Sequence, residues 1–266
     1  MDARTFLGLE RVEDRRFRLE VTTDLITPGQ FLYGGCGLGA CVEAMEQVTG
    51  RPTVWATAQY LSFAKTGSVV EINVETPAEG KRITQARAIA SIDGREVLAT
   101  SAALGTGSDE IDHVWVTMPE VPGPEECPPR RPEAHIVDSV FARIDTRVAK
   151  GRTFDQIDGT PGEPESAIWA RVPGHLSPSA ATLAIYGDYL TGAVAHPVGR
   201  HTMGRSIDNT IRVVELVDTE WVLIDSRIHV ATHGFAQGIA FLWAQDGTLL
   251  GTASQTLSIK LWTPPA

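Results

Sequence analysis

The sequence predicts an α+β fold made of two copies of one unit, each a helix followed by a meander of antiparallel strands. Small and apolar residues at helical spacing occur once in each half of the chain, and strand-like runs follow both times. An Asp-Gly pair, a strong hairpin signal, precedes the last strand of each half, at Asp93-Gly94 and at Asp246-Gly247. These pairs are 246 − 93 = 153 residues apart, which indicates an internal duplication.

The first copy is predicted to begin with a strand over Arg16–Thr22 and a turn at Thr27-Pro28-Gly29-Gln30. A helix is predicted over Gly37–Val48, and Thr49-Gly50 ends it. Four strand-like runs follow, separated by glycine-containing turns. They are Val54–Ala64, Val69–Thr76, Ile83–Ile92 and Val97–Leu104.

Residues 106–165 have a different composition, with six prolines between positions 119 and 132 and acidic residues among them. This pattern predicts a semi-extended connector. Within it, Ile136–Val148 is compatible with either a short helix or a strand. We therefore predict an N-terminal module at 1–105, the proline-rich connector at 106–165 and a C-terminal module at 166–266.

The second copy repeats the first pattern. A strand is predicted over Ala167–Val172 and a helix over Thr182–Ala195. The strand-like runs that follow are Ile207–Val214, Trp221–Ala231, Phe235–Trp243 and Leu249–Leu261.

The two copies differ at positions that matter chemically. Leu32-Tyr33-Gly34-Gly35 aligns with Ile185-Tyr186-Gly187-Asp188, and 188 − 35 is again 153. In the same register Ala102 aligns with Gln255. Because polar groups occupy these positions only in the second copy, we expect one site per chain, in the second module.

Asp188, Ser206 and Gln255 supply a carboxylate, a hydroxyl and an amide. Such a set can orient one water molecule, with the carboxylate as its base. Each residue also has a structural interpretation. Asp188, at the expected start of the second helix, could favour the helix dipole. Gln255 could lie on the solvent face of its strand, and Ser206 could belong to a turn.

Gly34, Gly35 and Cys36 lie just before the predicted first helix. Their backbone N–H groups could bind a developing oxyanion or a phosphate. The alternative is a tight turn that lets helix and sheet pack closely. Cys36 could be a nucleophile near a helix N-terminus, although a small buried cysteine is the more common case.

The net charge of 23 − 33 = −10 argues against a nucleic-acid binder. Local arginines can still hold an anionic ligand, and Arg82, Arg87 and Arg205 are candidates for phosphate contacts, or else solvated surface charges. Three cysteines make no disulfide framework. Because no apolar segment resembles a membrane span or a secretory signal, we expect no membrane association and a cytoplasmic location.

Several segments resemble a known family. Leu32-Tyr33-Gly34-Gly35 resembles the phenylalanine-glycine-glycine helix entry of double hot-dog type II acyl-CoA thioesterases. Tyr186-Gly187-Asp188 is similar to their serine-aspartate helix start, and Arg205–Thr210 to their threonine-isoleucine-aspartate-histidine-serine strand. Asp246–Leu250 and Ser254-Gln255 resemble their closing hairpin and glutamine strand. The resemblance spans both modules but not the connector.

The resemblance implies a tandem double hot-dog fold, each module an antiparallel sheet wrapped around a long helix. It also implies that Asp188, Ser206 and Gln255 position the water that hydrolyses a fatty or related acyl-CoA. Coenzyme A then enters as part of the substrate, and no further cofactor or metal is expected. Departures from the family pattern, with serine for threonine at 206 and Asn209 for histidine, bear on substrate range and rate.

Two other functions remain open at this point. A hot-dog enoyl-thioester hydratase would need a histidine paired with the aspartate, and no histidine adjoins Asp188 in the sequence. A non-catalytic acyl-CoA binding protein would keep the fold with a weakened site. The resemblance also suggests that two such chains form a homodimer. It further suggests a role in fatty-acid metabolism.

Overall fold

The computed structural model describes residues 1–108, 110–131 and 138–263. The helices are α1 (Ala3–Leu7), α2 (Gly34–Thr49), α3 (Ala180–Gly187), α4 (Leu190–Ala193) and α5 (Ala195–Val198). The strands are β1 (Glu10–Glu13), β2 (Arg16–Glu20), β3 (Thr53–Tyr60), β4 (Val69–Glu79), β5 (Ile83–Ile92), β6 (Arg95–Gly105), β7 (Asp145–Lys150), β8 (Glu165–Arg171), β9 (Thr202–Val213), β10 (Val222–Thr232), β11 (Phe235–Ala244) and β12 (Leu249–Leu261).

The twelve strands form one sheet in the order β1-β2-β4-β5-β6-β3-β9-β12-β11-β10-β8-β7. Every pairing in it is antiparallel. Each strand of the first half has its counterpart at the same distance from the centre, where β3 lies beside β9. The duplicated antiparallel fold predicted from the sequence is therefore confirmed.

Equivalent residues of the two halves meet at this centre. The hydroxyl oxygens of Thr57 and Thr210 are 2.7 Å apart. In the helix layer, the N–H of Gly35 donates to the carboxylate of Asp188 over 2.8 Å. In each pair, the two residues are 153 positions apart in the sequence. Because a residue meets its own counterpart only at a two-fold axis, a pseudo-two-fold axis runs through these two contacts.

Helices α2 and α3 pack backbone to backbone beside this axis. A side chain at Gly35 would place its Cβ 2.8 Å from the Ala184 carbonyl oxygen, and one at Gly39 would lie 2.9 Å from that of Ala181. These distances are shorter than carbon–oxygen contacts allow, so glycine is needed at both positions. The two glycines thereby bring the first two turns of α2 against α3.

The second helix differs from the prediction. It begins at Ala180, because the Ser179 side chain accepts a hydrogen bond from the Thr182 N–H and caps it, and it ends at Gly187. Two short segments, α4 and α5, continue it. The single helix predicted over Thr182–Ala195 is thus broken. Asp188 lies at the C-terminal end of α3 rather than at a helix start, so that expectation was wrong.

Much of the predicted connector packs on the second module. The Trp169 indole N–H donates to the Pro122 carbonyl over 2.9 Å, and Cys127 joins a buried cluster with Trp169, Trp221 and Trp243. Of the segment with two open interpretations, residues 136 and 137 lie outside the described residues, and β7 begins at Asp145. Because β7 pairs with β8, this part of the connector is an edge of the sheet. The domain boundaries themselves remain predictions.

Candidate active site

Asp188 is the buried centre of a polar cluster between the two modules, with only 2% of its surface exposed. One carboxylate oxygen, Oδ1, accepts from the Ser206 hydroxyl at 3.0 Å and from the side-chain amide of Gln255. The other, Oδ2, accepts from the Gly35 N–H at 2.8 Å. The structure therefore brings together the three residues predicted from the sequence, and it adds the first turn of α2.

A β-bulge turns Ser206 toward this cluster. Thr256 pairs with Asp208 but Leu257 pairs with Ser206, so Ile207 is an extra residue in β9. Without the extra residue, alternation along the strand would point Ser206 to the opposite face of the sheet. The first module has the same bulge at Val54, and 207 − 54 is again 153.

Gln255 lies in the inward-facing row of β12, between Ala253 and Leu257. It is 3% exposed, and its two neighbours in that row are also buried. The interpretation of Gln255 as a solvent-face residue is therefore wrong. Placing an amide in an apolar row costs free energy unless it is hydrogen-bonded, and the Asp188 carboxylate supplies that partner.

Burial raises the pKa of Asp188 from 3.8 to about 6, while the hydrogen bonds from Gln255, Gly35 and Ser206 oppose this rise. The helix ends also act in opposite directions. The C-terminal end of α3 disfavours the negative charge, and the N-terminal turn of α2 favours it. Asp188 therefore does interact favourably with a helix dipole, as considered from the sequence, but the helix is α2 of the first module.

Several buried polar atoms around Asp188 have no hydrogen-bond partner in the described part of the chain. They are the Gln255 Oε1, the Tyr60 and Tyr189 hydroxyls and both polar atoms of the Asn209 side chain. The Asn209 amide lies close enough to the Tyr60 hydroxyl to lower the pKa of that phenol, which burial raises, but the geometry between the two groups falls short of a well-formed hydrogen bond. Because buried polar groups are normally paired, this cluster can take up water or polar atoms of a ligand.

Tyr60 is the site residue that the sequence analysis missed. A Cβ added at Gly34 would lie 3.0 Å from the Tyr60 hydroxyl and 2.8 Å from Asp188 Oδ2, so these groups surround Gly34 closely. Tyr60 belongs to the first module, and its only sequence signal is an aromatic residue in a strand. Its polar neighbours Asp188 and Asn209 are more than a hundred residues away in the sequence, so no local motif marks it.

The three residues of the α2 entry have different surroundings. Gly34 and Gly35 lie beside Asp188, and the helix already begins at Gly34, three residues earlier than predicted. The glycines therefore serve close packing as well as contact with the cluster. Cys36 is fully buried, and burial raises the pKa of its thiol. A buried thiol with a raised pKa is a poor nucleophile.

The three candidate phosphate contacts are scattered. Arg205 precedes Ser206, and its guanidinium carbon lies 5.3 Å from the centre of the Phe63 ring. Arg82 is exposed near the turn between β4 and β5. Arg87 lines a cleft of about 500 Å³ with Thr57 and Asp208 on the sheet face opposite the helices. Arg205 is exposed and, as the residue before Ser206 in β9, points to the opposite face of the sheet, so none of the three arginines is brought to the Asp188 cluster.

Among residues 1–108, 110–131 and 138–263, no group of three or more His, Cys, Asp or Glu side chains could hold a metal ion. No helix within these ranges is long and apolar enough to cross a membrane.

An antiparallel sheet wrapped around central helices, duplicated about a pseudo-two-fold axis with a polar cluster on it, defines a double hot-dog protein. Comparisons with known proteins agree. The model of the acyl-CoA thioesterase N-terminal domain matches residues 22–105, and that of the C-terminal domain matches residues 124–259. The chain belongs to this acyl-CoA thioesterase family and is a thioester hydrolase.

Solved structures give the same fold over nearly the whole chain. A protein from Novosphingobium aromaticivorans assigned to the thioesterases is 30% identical, with a TM-score of 0.83, and the match covers 97% of this chain and 100% of that one. A hot-dog protein from Alicyclobacillus acidocaldarius is 19% identical, with a TM-score of 0.86 and 98% of both chains covered. An acyl-CoA thioesterase II from Mycobacterium marinum is 20% identical, with a TM-score of 0.76 and coverage of 98% and 99%. No curated protein sequence is a significant match.

Proposed function

We propose that this protein hydrolyses a fatty or related acyl-CoA to the free acid and coenzyme A, using a water molecule held by Asp188, Ser206 and Gln255. The observation that carries the proposal is the convergence of three hydrogen-bond donors on one buried carboxylate whose pKa is about 6. A base with a pKa near the working pH is the most effective proton acceptor.

In the proposed reaction, Asp188 takes a proton from the water as the water oxygen attacks the thioester carbonyl carbon. Negative charge then develops on the carbonyl oxygen. When this intermediate collapses, the carbon–sulfur bond breaks, and the proton held by Asp188 passes to the thiolate of coenzyme A. Ser206 and Gln255 hold the carboxylate and the water in place, since a hydroxyl and an amide can each donate and accept.

Backbone N–H groups at the start of α2 are the proposed stabilisers of the oxyanion. The first N–H groups of a helix have no carbonyl one turn earlier to bond. In α2 these belong to Gly34, Gly35 and Cys36. The Gly35 N–H donates to Asp188, which leaves Gly34 and Cys36 as the candidates. Donors fixed by a helix need no reorganisation as charge develops.

The first module is proposed to be silent. The 153-residue offset places Thr53 where the second module has Ser206, but Gly35 and Ala102 replace the acid and the amide. Titration with a non-hydrolysable acyl-CoA thioether should therefore give one binding site per chain. Two equivalent sites would contradict this assignment.

The activity can be tested with a medium-chain acyl-CoA and a thiol reagent. Release of one free thiol per thioester consumed supports hydrolysis. A hydratase would instead remove the absorbance of an enoyl-CoA without releasing thiol, and a binding protein would bind the thioether without turnover. No observation favours the hydratase: no histidine adjoins Asp188 in the sequence, and the groups that act on the pKa of its carboxyl are Gln255, Gly35 and Ser206.

A further inference from the structure

Two adjacent arginines beside the Asp188 cluster have no role in the mechanism above. Arg130 and Arg131 are partly buried. Backbone hydrogen bonds hold this segment in place, because the Arg130 N–H donates to Thr146 in β7 over 2.9 Å and its carbonyl accepts from the Phe154 N–H over 3.0 Å.

Both guanidinium groups lie over aromatic rings. The Arg130 guanidinium carbon is 5.7 Å from the centre of the Tyr189 ring, and that of Arg131 is 5.4 Å from Phe141. Tyr33, Phe141 and Tyr189 contact one another edge to face, with ring centres 5.3 to 6.4 Å apart. We call these three rings the aromatic wall. Tyr189 directly follows Asp188, so the wall adjoins the proposed site of hydrolysis.

Among the described residues, no carboxylate acts as counter-charge to these two positive charges. Within the described ranges, neither side chain forms an ion pair or donates a hydrogen bond to a protein group. Burial lowers the pKa of both groups, and Arg130 further lowers that of Arg131. Neighbouring like charges removed from water are unfavourable unless an anion compensates them. Paired guanidinium groups are well suited to binding a carboxylate or a phosphate.

The distance to Asp188 points to the acyl part of the substrate. A Cβ added at Gly192 would lie 2.0 Å from Arg130 Nη2, so the guanidinium rests on the bare Gly192 backbone. Gly192 is about one helical turn after Asp188, which places the guanidinium within roughly 12 Å of the Asp188 Cα. The arm of coenzyme A between its sulfur and its first phosphate spans about 15 Å when extended. A charge on a short acyl chain fits this spacing better than a phosphate does.

We propose that Arg130 and Arg131 bind the distal carboxylate of a short dicarboxylic acyl group, with its methylene chain against the aromatic wall. This inference rests on the proposed thioesterase function and specifies its substrate class. It predicts that a thioester with a terminal carboxylate is hydrolysed better than its uncharged counterpart of equal length.

The test compares adipoyl and hexanoyl thioesters, which have six carbons each and differ in the terminal carboxylate. Each acyl group is offered both as the coenzyme A thioester and as the N-acetylcysteamine thioester, which carries no phosphate. The variants are Arg130→Gln, Arg131→Gln, the double substitution and Arg130→Lys. Arg18→Gln is the control, because Arg18 is an exposed arginine that pairs with the surface residue Glu71.

We expect the double variant to lose about 10-fold to 100-fold in kcat/KM on both adipoyl thioesters, the range typical for hydrogen bonds to a charged group. Its rates on both hexanoyl thioesters should stay near wild type. Arg130→Lys should retain part of the adipoyl activity, because it keeps the charge. The control should match wild type on all four substrates.

Other outcomes overturn the inference in distinguishable ways. Loss on both coenzyme A thioesters but on neither N-acetylcysteamine thioester would make the arginines phosphate contacts. Equal loss on all four substrates would make them structural. If the wild type hydrolyses hexanoyl-CoA but not adipoyl-CoA, the dicarboxylate assignment is wrong while the proposed function stands. If it hydrolyses none of the four and no longer acyl-CoA either, the proposed function fails as well.

Discussion

Replacing Asp188 by Asn removes the proposed base while keeping the shape of the side chain. The carboxylate accepts hydrogen bonds on both oxygens, from Gly35 on one side and from Ser206 and Gln255 on the other. An asparagine has one acceptor oxygen and one donor NH₂. The NH₂ must therefore face either the Gly35 N–H or the Ser206 and Gln255 side chains, so at least one of the present hydrogen bonds to the carboxylate is lost or reversed.

The expected loss of activity follows from the role of the carboxylate. General-base catalysis contributes about 10²–10⁴ in rate, and Asp188 is the only carboxylate that we place at the site. We expect kcat for a medium-chain acyl-CoA to fall by that factor in Asp188→Asn. The wild-type kcat/KM should rise with pH through about 6, because only the ionised Asp188 can accept the proton and burial raises its pKa to about 6.

The same pKa predicts an opposite effect on stability. Since the native pKa of about 6 lies above the ordinary 3.8, the folded protein holds the proton more tightly than the unfolded chain. The stability of the wild type should therefore fall as pH rises from about 4 to 6 and stay level above. About two pH units at about 1.4 kcal/mol each give roughly 3 kcal/mol.

Asparagine does not titrate, so this loss of stability should be absent in Asp188→Asn. The difference between the free energies of unfolding, variant minus wild type, should therefore be about 2–3 kcal/mol larger at pH 7 than at pH 4. Urea unfolding at several pH values measures this change. Thiol release over the same range measures activity. Wild-type activity in the variant, or a flat activity profile of the wild type through pH 6, would refute the assignment of Asp188 as the base.

Three further substitutions test neighbouring contacts. Gln255→Ala should lower kcat by about 10- to 100-fold, the range for a hydrogen bond to a charged group. The affinity for a thioether analogue should change little. Weaker binding at unchanged kcat would contradict the assigned role of Gln255. Ser206→Ala removes a donor that lowers the pKa of the carboxylate, so the rise of activity should move to higher pH, and a profile that stays in place would argue against the contact. Gly39→Ala should destabilise the fold by about 1–3 kcal/mol, because the added Cβ meets the α3 backbone. Gly37→Ala is its control: its nearest contacts are at 3.4 Å, so urea unfolding should show unchanged or slightly raised stability, and equal losses in both variants would exclude the packing argument.

Much of the fold follows from local sequence patterns. Alternating strands and Asp-Gly turns repeat at a constant offset because each copy must bury the same inner face. The antiparallel order of the sheet is a consequence of short hairpin connections. Asp188 and Gln255 stand out without a structure, since they are polar where the other copy has Gly35 and Ala102.

The helix pattern could not be predicted in the same detail. The run around Asp188 is apolar on both sides, so its periodicity does not reveal that α3 ends at Gly187. The position at which α3 ends decides whether the Asp188 carboxylate faces the start of a helix in its own module or in the other module. In the structure it caps α2 of the first module, a contact between residues 153 positions apart.

The sequence alone determined the duplicated antiparallel fold, the family resemblance and the residues that differ between the copies, because periodicity and alignment act along the chain. Only the tertiary structure decided how those residues meet. A single extra residue, Ile207, turns Ser206 to the inner face. Glycine contacts bring α2 against α3, and the connector places Arg130 over Tyr189. Each of these three arrangements depends on packing between segments that are distant in the sequence. No local sequence pattern encodes how close such segments come in the folded protein.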